Sequence, residues 1–339
     1  MRFEFYHSGL DGVPKLSVDG TVSNSIHFSH WRGNETPAEV KADTSTEIAL
    51  NLIGSPNRGK LTQGIELVTN NHFDTDGVLS VWTMMNGDRA LQLRDKLIPA
   101  AEAGDFSEFT DEDAIRASIT IQGSDQPVTA DDAGSPLARQ LAGTSVDDDA
   151  RAYELVLPEV ERLLTRTGEY ENLWRGPWTQ IETSINSFER GESKVEEFAN
   201  VKFSLVTVAR DVFGVSGFDP ARHAAPFTAV SRYAKGQLFL IAIPYQSGWS
   251  YRIDYPYYSW AETIVRPRIE RRNFAPLVSR LNQLESGAAG RWALDTSELS
   301  SAVKFTGSEG KLSVSDLQPD QVACAINAEL AASGAAAAG

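Results

Sequence analysis

Residues 69–85 read TNNHFDTDGVLSVWTMM, and the reading of this stretch decides the fold. An apolar run, Ile65-Glu66-Leu67-Val68, leads into it as a buried strand. His72, Asp74 and Asp76 follow at single-residue spacing, then Gly77. Val78, Leu79, Val81, Trp82 and Met85 then recur at helical spacing. The stretch therefore reads strand, tight polar loop, helix. In open α/β sheets, ligands and chemistry collect at the carboxyl ends of strands. Neutral imidazole with carboxylates suits Mn²⁺, Fe²⁺ or Zn²⁺. Gly77 would let the backbone turn close to a bound group. An Asp-x-Asp-Gly loop also has a plainer use, with Asp as helix N-cap and Gly at the bend.

Composition sets the frame around this stretch. The chain has 339 residues, enough for about two domains, and is 41% hydrophobic and 23% charged, as expected of a soluble protein. The formal net charge is -15 and the pI near 4.8, which argues against double-stranded nucleic acid as the main partner. A small anionic substrate held by local arginines stays open. Cys324 is the single cysteine, so neither an internal disulfide nor a thiolate metal site is expected. No stretch reads as a cleavable leader or a membrane span, so the chain reads as cytoplasmic, with no membrane partner; a homodimer stays open.

Upstream of the central stretch, Arg2 to Tyr6 reads as an edge strand, and residues 1–20 otherwise as short alternating patterns with turns. Asn24 to Trp31 alternates as a strand and ends on His30, a ligand or acid–base group by position. Thr36 and Pro37 fit a helix start, and Asp43 or Thr44 a second one over Ile48–Ile53, with Glu47 placed for a capping box. Downstream, Ala90–Ala101, Ala150–Thr167 (kinked at Pro158), Trp178–Glu192 and Pro276–Leu284 read as helices, and Gly123–Asp149 as a mobile loop. From Val201 the chain turns β-rich, with strands at Val201–Val208, Gln237–Ile243, Ser250–Tyr255 and Arg291–Asp295. Arginines and aromatics cluster there, and Arg forks pair with carboxylate or phosphate. The candidate substrate-binding residues are Arg252, Arg266, Arg268, His223 and Tyr258.

Three phrases carry a resemblance. NNHFDTDGVLSVW resembles the first motif of DHH-type phosphoesterases, where His, Asp and Asp on a strand-to-helix loop hold catalytic metals, usually Mn²⁺. AAEAGDF, at 100–106, looks like the place of a further metal-binding Asp, here Asp105. SHWRGNETPAEVKADTSTEIAL, at 29–50, has the shape of a later motif of that superfamily, so the likeness implies a circularly permuted order. The chain as a whole also resembles an uncharacterised bacterial, largely actinobacterial, family with the phrases SHW-G-TP, NNHFD-DG, AGDF and Y-SW. The name-giving Asp-His-His stands here as Ser29-His30-Trp31, and the Gly-Gly-Gly-His signature is absent. These departures favour one metal over two.

The expected architecture is α/β. A parallel-sheet domain with flanking helices spans 1–192, a smaller α+β substrate domain spans 193–330, and 331–339 forms a disordered tail. The cleft between the domains would be the binding site. The resemblance implies a metal-dependent hydrolase of a phosphoester or related small anion. Its metal ligands would be His72, Asp74, Asp76, Asp105 and His30, its catalytic residues His30 and Asp76, and its metal Mn²⁺ before Zn²⁺, Fe²⁺ or Mg²⁺. Two other readings stand beside it: a catalytically silent anion- or ligand-binding protein of the same fold, and a non-hydrolytic His/carboxylate metalloenzyme of secondary metabolism.

Overall fold

The computed structural model describes residues 1–124, 134–210, 212, 217–287, 290–295 and 300–337. The chain forms two compact units, Met1–Trp178 with Trp260–Arg268, and Thr179–Ser259 with Ile269–Gly339. The division falls inside the helix Glu171–Glu189. The composition shift at 193 instead marks the start of the second sheet.

The first unit is built on four parallel strands: β1 (Arg2–Phe3), β2 (Lys15–Val18), β3 (Ile26–Phe28) and β4 (Leu67–Thr69), in the order β1-β4-β2-β3. β2 and β4 are buried at every position, as parallel strands covered on both faces are. Even Lys15 is enclosed, its ammonium donating to the carbonyls of Leu10 at 2.9 Å and Asn24 at 3.1 Å. The helix after β4 runs Thr75–Asn86 and buries Val78, Leu79, Val81 and Trp82. It packs beside the helices Ser45–Gly54 and Arg94–Phe106.

The second unit carries a six-stranded mixed sheet: β5 (Lys194–Phe198), β6 (Phe203–Thr207), β7 (Leu238–Tyr245), β8 (Gly248–Asp254), β9 (Arg291–Leu294) and β10 (Ser301–Thr306), ordered β5-β6-β7-β8-β10-β9. One face packs Leu240, Tyr251, Ile253, Trp292 and Phe305 against the helices Ala275–Leu284 and Pro319–Ala337. The other packs Val206, Phe239 and Ile241 against Phe227 and Val230.

Several expectations are corrected. Residues after Pro37 form a turn, Val40 N–H donating to Pro37 C=O at 3.0 Å, and not a helix. The Thr36 hydroxyl is spent on Ser29, bonding its N–H and C=O at 2.8 and 2.7 Å, so it caps nothing. Within the expected loop 123–149, Pro136–Ala142 is a helix capped by Ser135; residues 125–133 lie outside the described ones. The expected disordered tail is helical to Ala337, in keeping with alanine's helix propensity. Pro158 breaks its helix as expected, leaving Asp149–Val156, a 3-10 turn and Val160–Thr165. Among the described residues, no helix is long and apolar enough to cross a membrane.

Candidate metal centre

Three strand ends of the first sheet each deliver chemistry to one place. β2 is followed by Asp19, β3 by Ser29-His30, and β4 by Asn70 to Asp76. Asp105 joins them from the last turn of the helix Arg94–Phe106. Two groups result: Asp19, His30, Asp76 and Asp105, and Asp19, His72 and Asp74, the candidate ligand atoms within each group lying within 4.8 Å of one another. Asp19 belongs to both. Its Oδ1 lies 3.5 Å from His30 Nε2, and its Oδ2 lies 2.9 Å from His72 Nε2.

The local geometry of Asp19 explains its reach. It sits at φ +64°, a left-handed conformation that short polar side chains tolerate at a cost of roughly 1–2 kcal/mol. Its backbone is fixed to β3, accepting from the Ser29 hydroxyl and donating to Phe28 C=O at 3.2 Å. Gly20, next in line, could carry no Cβ, because the side-chain oxygens of Asn70 and Asn71 fill that space.

His30 is buried, and its Nδ1 lies 2.5 Å from the carbonyl of Asp43. That carbonyl only accepts, so Nδ1 carries a proton and Nε2 faces the carboxylates. Nε2 is 3.0 Å from Asp105 Oδ2 and 3.8 Å from Asp76 Oδ2. Asp76 is held by the start of the helix Ser45–Gly54: Ser45 N–H and Thr46 N–H donate to its two oxygens at 2.6 and 2.8 Å. Asp74 is both cap and cluster member. Its Oδ1 accepts Gly77 N–H at 2.7 Å, and its Oδ2 is 3.1 Å from His72 Nε2. The plainer capping use of the Asp-x-Asp-Gly loop is therefore real, and it coexists with the cluster. Gly77 has a different reason from the expected one: a Cβ there would meet Asn70 Nδ2 at 2.5 Å and the Tyr153 hydroxyl at 2.7 Å. That hydroxyl accepts from Asn70 at 2.9 Å and donates to the His72 carbonyl at 3.1 Å, bracing the loop.

Electrostatics couple the members of the cluster, and the imidazoles compensate Asp19 but not Asp76 and Asp105. Burial raises Asp76 to about 6, the Asp19 charge adding to it. Burial and the Asp76 charge hold Asp105 well above the carboxylate range. For His30, burial lowers the pKa, but Asp105 and Asp19 outweigh it and the net shift is upward. His72 goes up to about 11: burial opposes, and Asp74 and Asp19 prevail. Asp19 goes the other way, burial being outweighed by the two imidazoles. The donor set fits a divalent cation. Asp19 Oδ2, His30 Nε2 and Asp105 Oδ2 are buried atoms without a well-aligned hydrogen bond; their contacts are the ion pairs of Asp19 with His72 at 2.9 Å and of His30 with Asp105 at 3.0 Å, in a region where a poorly satisfied polar atom is costly.

His30, His72, Asp74, Asp76 and Asp105 are thus brought together, with Asp19 as the member the sequence reading missed. Its signal was an Asp-Gly pair closing an alternating run, Lys15 to Val18, which reads equally well as a turn. The proposed substrate residues are placed otherwise. Arg266 belongs to the first unit and pairs there with Asp43, Glu102 and Glu108, at 2.9, 2.9 and 2.7 Å, so its fork is already occupied by protein carboxylates. Arg268 is exposed in the same segment. Arg252, His223 and Tyr258 belong to the second unit. Arg252 lies 3.2 Å from Asp254, His223 accepts from Asp219 N–H at 2.9 Å, and Tyr258 packs against the second unit's core.

Fold and site together define an α/β protein with a buried His–carboxylate centre at the carboxyl edge of a parallel sheet. Residues 2–320 match the family of unknown function DUF6687, and the chain belongs to that family. No curated protein matches it. Among solved structures, a pGpG-specific phosphodiesterase, PggH, from Vibrio cholerae is similar at 12% identity and a TM-score of 0.40, over 97% of this chain and 90% of that one. Likeness at that level does not extend to the reaction.

Proposed function

We propose that the first unit is a divalent-metal centre for hydrolysis of a phosphoester or related small anion. The observation that carries this is the convergence of four aspartates and two histidines from three strand ends and one helix end, three of their buried atoms lacking a well-aligned hydrogen bond. The resemblance of NNHFDTDG and AGDF to DHH-type motifs supports the reaction class, and Mn²⁺ is the first metal to try.

A bound cation supplies Lewis-acid chemistry, polarising a phosphoryl oxygen and acidifying water. The chain's own residues prepare for it. The Asp43 carbonyl accepts a hydrogen bond from His30 Nδ1–H, which orients the ring and turns Nε2 toward the cluster, where it would be a ligand. The N–H groups of Ser45 and Thr46 hold Asp76 in place. Asp19 turns one oxygen to each group and would be a ligand in either. His72 is a quarter exposed, which makes it the solvent side of the centre. Trp31, with its ring centroid 5.1 Å from that of His72, covers it.

The test is hydrolysis of bis(p-nitrophenyl) phosphate by purified protein with Mn²⁺ and with chelator. Chelator-sensitive turnover should appear in the wild type and fall by about 100-fold or more in Asp19→Asn. Stoichiometric metal without turnover on a panel of phosphoesters favours the silent binding protein. No metal bound at all ends the hydrolase reading and favours the silent anion- or ligand-binding protein.

A further inference from the structure

The segment Trp260–Arg268 lies late in the sequence but belongs to the first unit, and it meets His30 from several sides. Glu262 N–H donates to the His30 carbonyl at 2.8 Å. The Trp260 ring stands edge-on to the His30 ring, with centroids 5.0 Å apart. The Asp43 carboxylate, whose residue's carbonyl holds His30 Nδ1, accepts the N–H groups of Ile264, Val265 and Arg266, the last two at 2.8 and 3.0 Å. Arg266 Nη1 adds a bond to the same carboxylate at 2.9 Å.

The other side of the guanidinium reaches Asp105's support. Arg266 Nη2 donates to Glu102 at 2.9 Å and to Glu108 at 2.7 Å. Its carbon lies 4.7 Å from the centroid of Phe106, whose ring is in turn 5.9 Å from that of His30. Glu102 and Phe106 stand on the same helix as Asp105. One planar fork therefore ties the residue that orients His30 to the helix turn that carries Asp105. A lysine, with one compact charge, could not span these partners in fixed geometry.

We infer that Arg266 is a positioning residue for the centre: seated between Asp43 and Glu102–Glu108, it sets His30 and Asp105 relative to each other, so the Asp19–His30–Asp76–Asp105 group depends on this strap and the Asp19–His72–Asp74 group does not. The inference deepens the metal-centre reading and rests on it in one of the two measurements below.

The first measurement needs no metal. In full-length protein with ¹⁵N-labelled histidine, the His30 Nδ1 proton should be protected from exchange in the wild type. In Arg266→Ala it should be lost to solvent, with the His72 signals unchanged, and millimolar guanidinium should restore it. The second is Mn²⁺ titration, in which Arg266→Ala should weaken binding at the His30 group about 10–100-fold and leave the His72 group within twofold. Arg266→Lys should fall between wild type and Arg266→Ala in both, and it carries the test if the alanine variant does not fold. A folded Arg266→Ala that keeps the protected proton and loses only melting temperature overturns the inference. If wild type binds no divalent ion, the function reading fails, and the proton measurement still decides the role of Arg266.

Discussion

In the first unit, Lys15, Asp19, His30, Asp43 and Asp76 are buried ionisable side chains; in the second, among the described residues, Asp254 is the comparable group, with Arg252 beside it. The second sheet is instead filled with apolar and aromatic groups, β7 being buried from Leu238 to Ile243. Burying charge is costly unless it is paired, hydrogen-bonded or bound to an ion. Lys15 and Asp43 are satisfied by protein atoms. Asp19 and His30 keep atoms without a well-aligned hydrogen bond, as Asp254 does with one oxygen, but Asp19 and His30 lie within a cluster of further carboxylates. The two units differ in what they bury: the second packs apolar and aromatic groups, and the first also encloses a cluster of carboxylates and imidazoles.

Four experiments would sharpen or break that contrast, taken from the largest expected effect down. Trp292→Ala removes a ring that is 1% exposed and lies 5.3 Å from Tyr251 and 5.5 Å from Phe305, centroid to centroid. Urea denaturation should show a loss of about 3–5 kcal/mol, with the stabilisation by Mn²⁺ unchanged. A lost metal increment would break the division of labour.

Next comes the metal itself. At a hundredfold excess over its Kd, Mn²⁺ should stabilise the wild type by about 2.7 kcal/mol. Asp19→Asn should abolish that increment, because Asp19 serves both groups. Melting with Mn²⁺ and with chelator reads it directly. An Asp19→Asn protein with the wild-type shift would remove Asp19 from the site.

Acidity gives the third. In the chelated protein Asp76 sits at about 6, above its ordinary value of 3.8. Its stabilising contribution is complete below about pH 4 and is lost as the pH rises through about 6. Asp105, also raised, acts in the same direction. Stability with chelator should therefore fall, by on the order of 1–3 kcal/mol, between about pH 4 and pH 7. Saturating Mn²⁺ should flatten the curve. A chelated protein that becomes more stable over this window would show that the carboxylates are compensated by other means.

The smallest effect separates a cap from a ligand within one unit. Asp111 caps the helix Glu112–Gln122, accepting from Asp113 and Ala114 N–H at 3.0 and 3.1 Å, as Asp74 caps its own helix. Asp111→Ala should cost about 1 kcal/mol with or without metal. Asp74→Ala should cost a similar amount with chelator and more with Mn²⁺. Equal costs in both conditions would reduce Asp74 to a cap.

The strand–loop–helix at 65–86 was legible because its apolar periods switch from a continuous run to helical spacing across a polar loop. His72, Asp74 and Asp76 were legible with it. Asp19 was not, because Lys15 and Ser17 give β2 the look of a half-exposed strand although both are buried. Lys15 is tolerated there by two carbonyls that lie 5 and 9 residues away, which no local pattern announces. Arg266 was read as a substrate ligand from charge alone. Its three carboxylate partners lie 158 to 223 residues earlier in the chain, and no periodicity connects them.

The strap also imposes an order on biosynthesis. A nascent chain that has completed residue 178 contains every strand of the first sheet, but Asp43, Glu102 and Glu108 still await their arginine. About 90 more residues must be made before Arg268 closes the unit, roughly 5–20 s at ordinary elongation rates. Through that interval the chain has the three carboxylates but not the guanidinium that joins them, and it has His30 but not the Trp260 ring that stands against it. The centre is therefore assembled late, after the second unit's first strands have emerged, and a ribosome stalled between 178 and 266 would carry a sheet without a finished site.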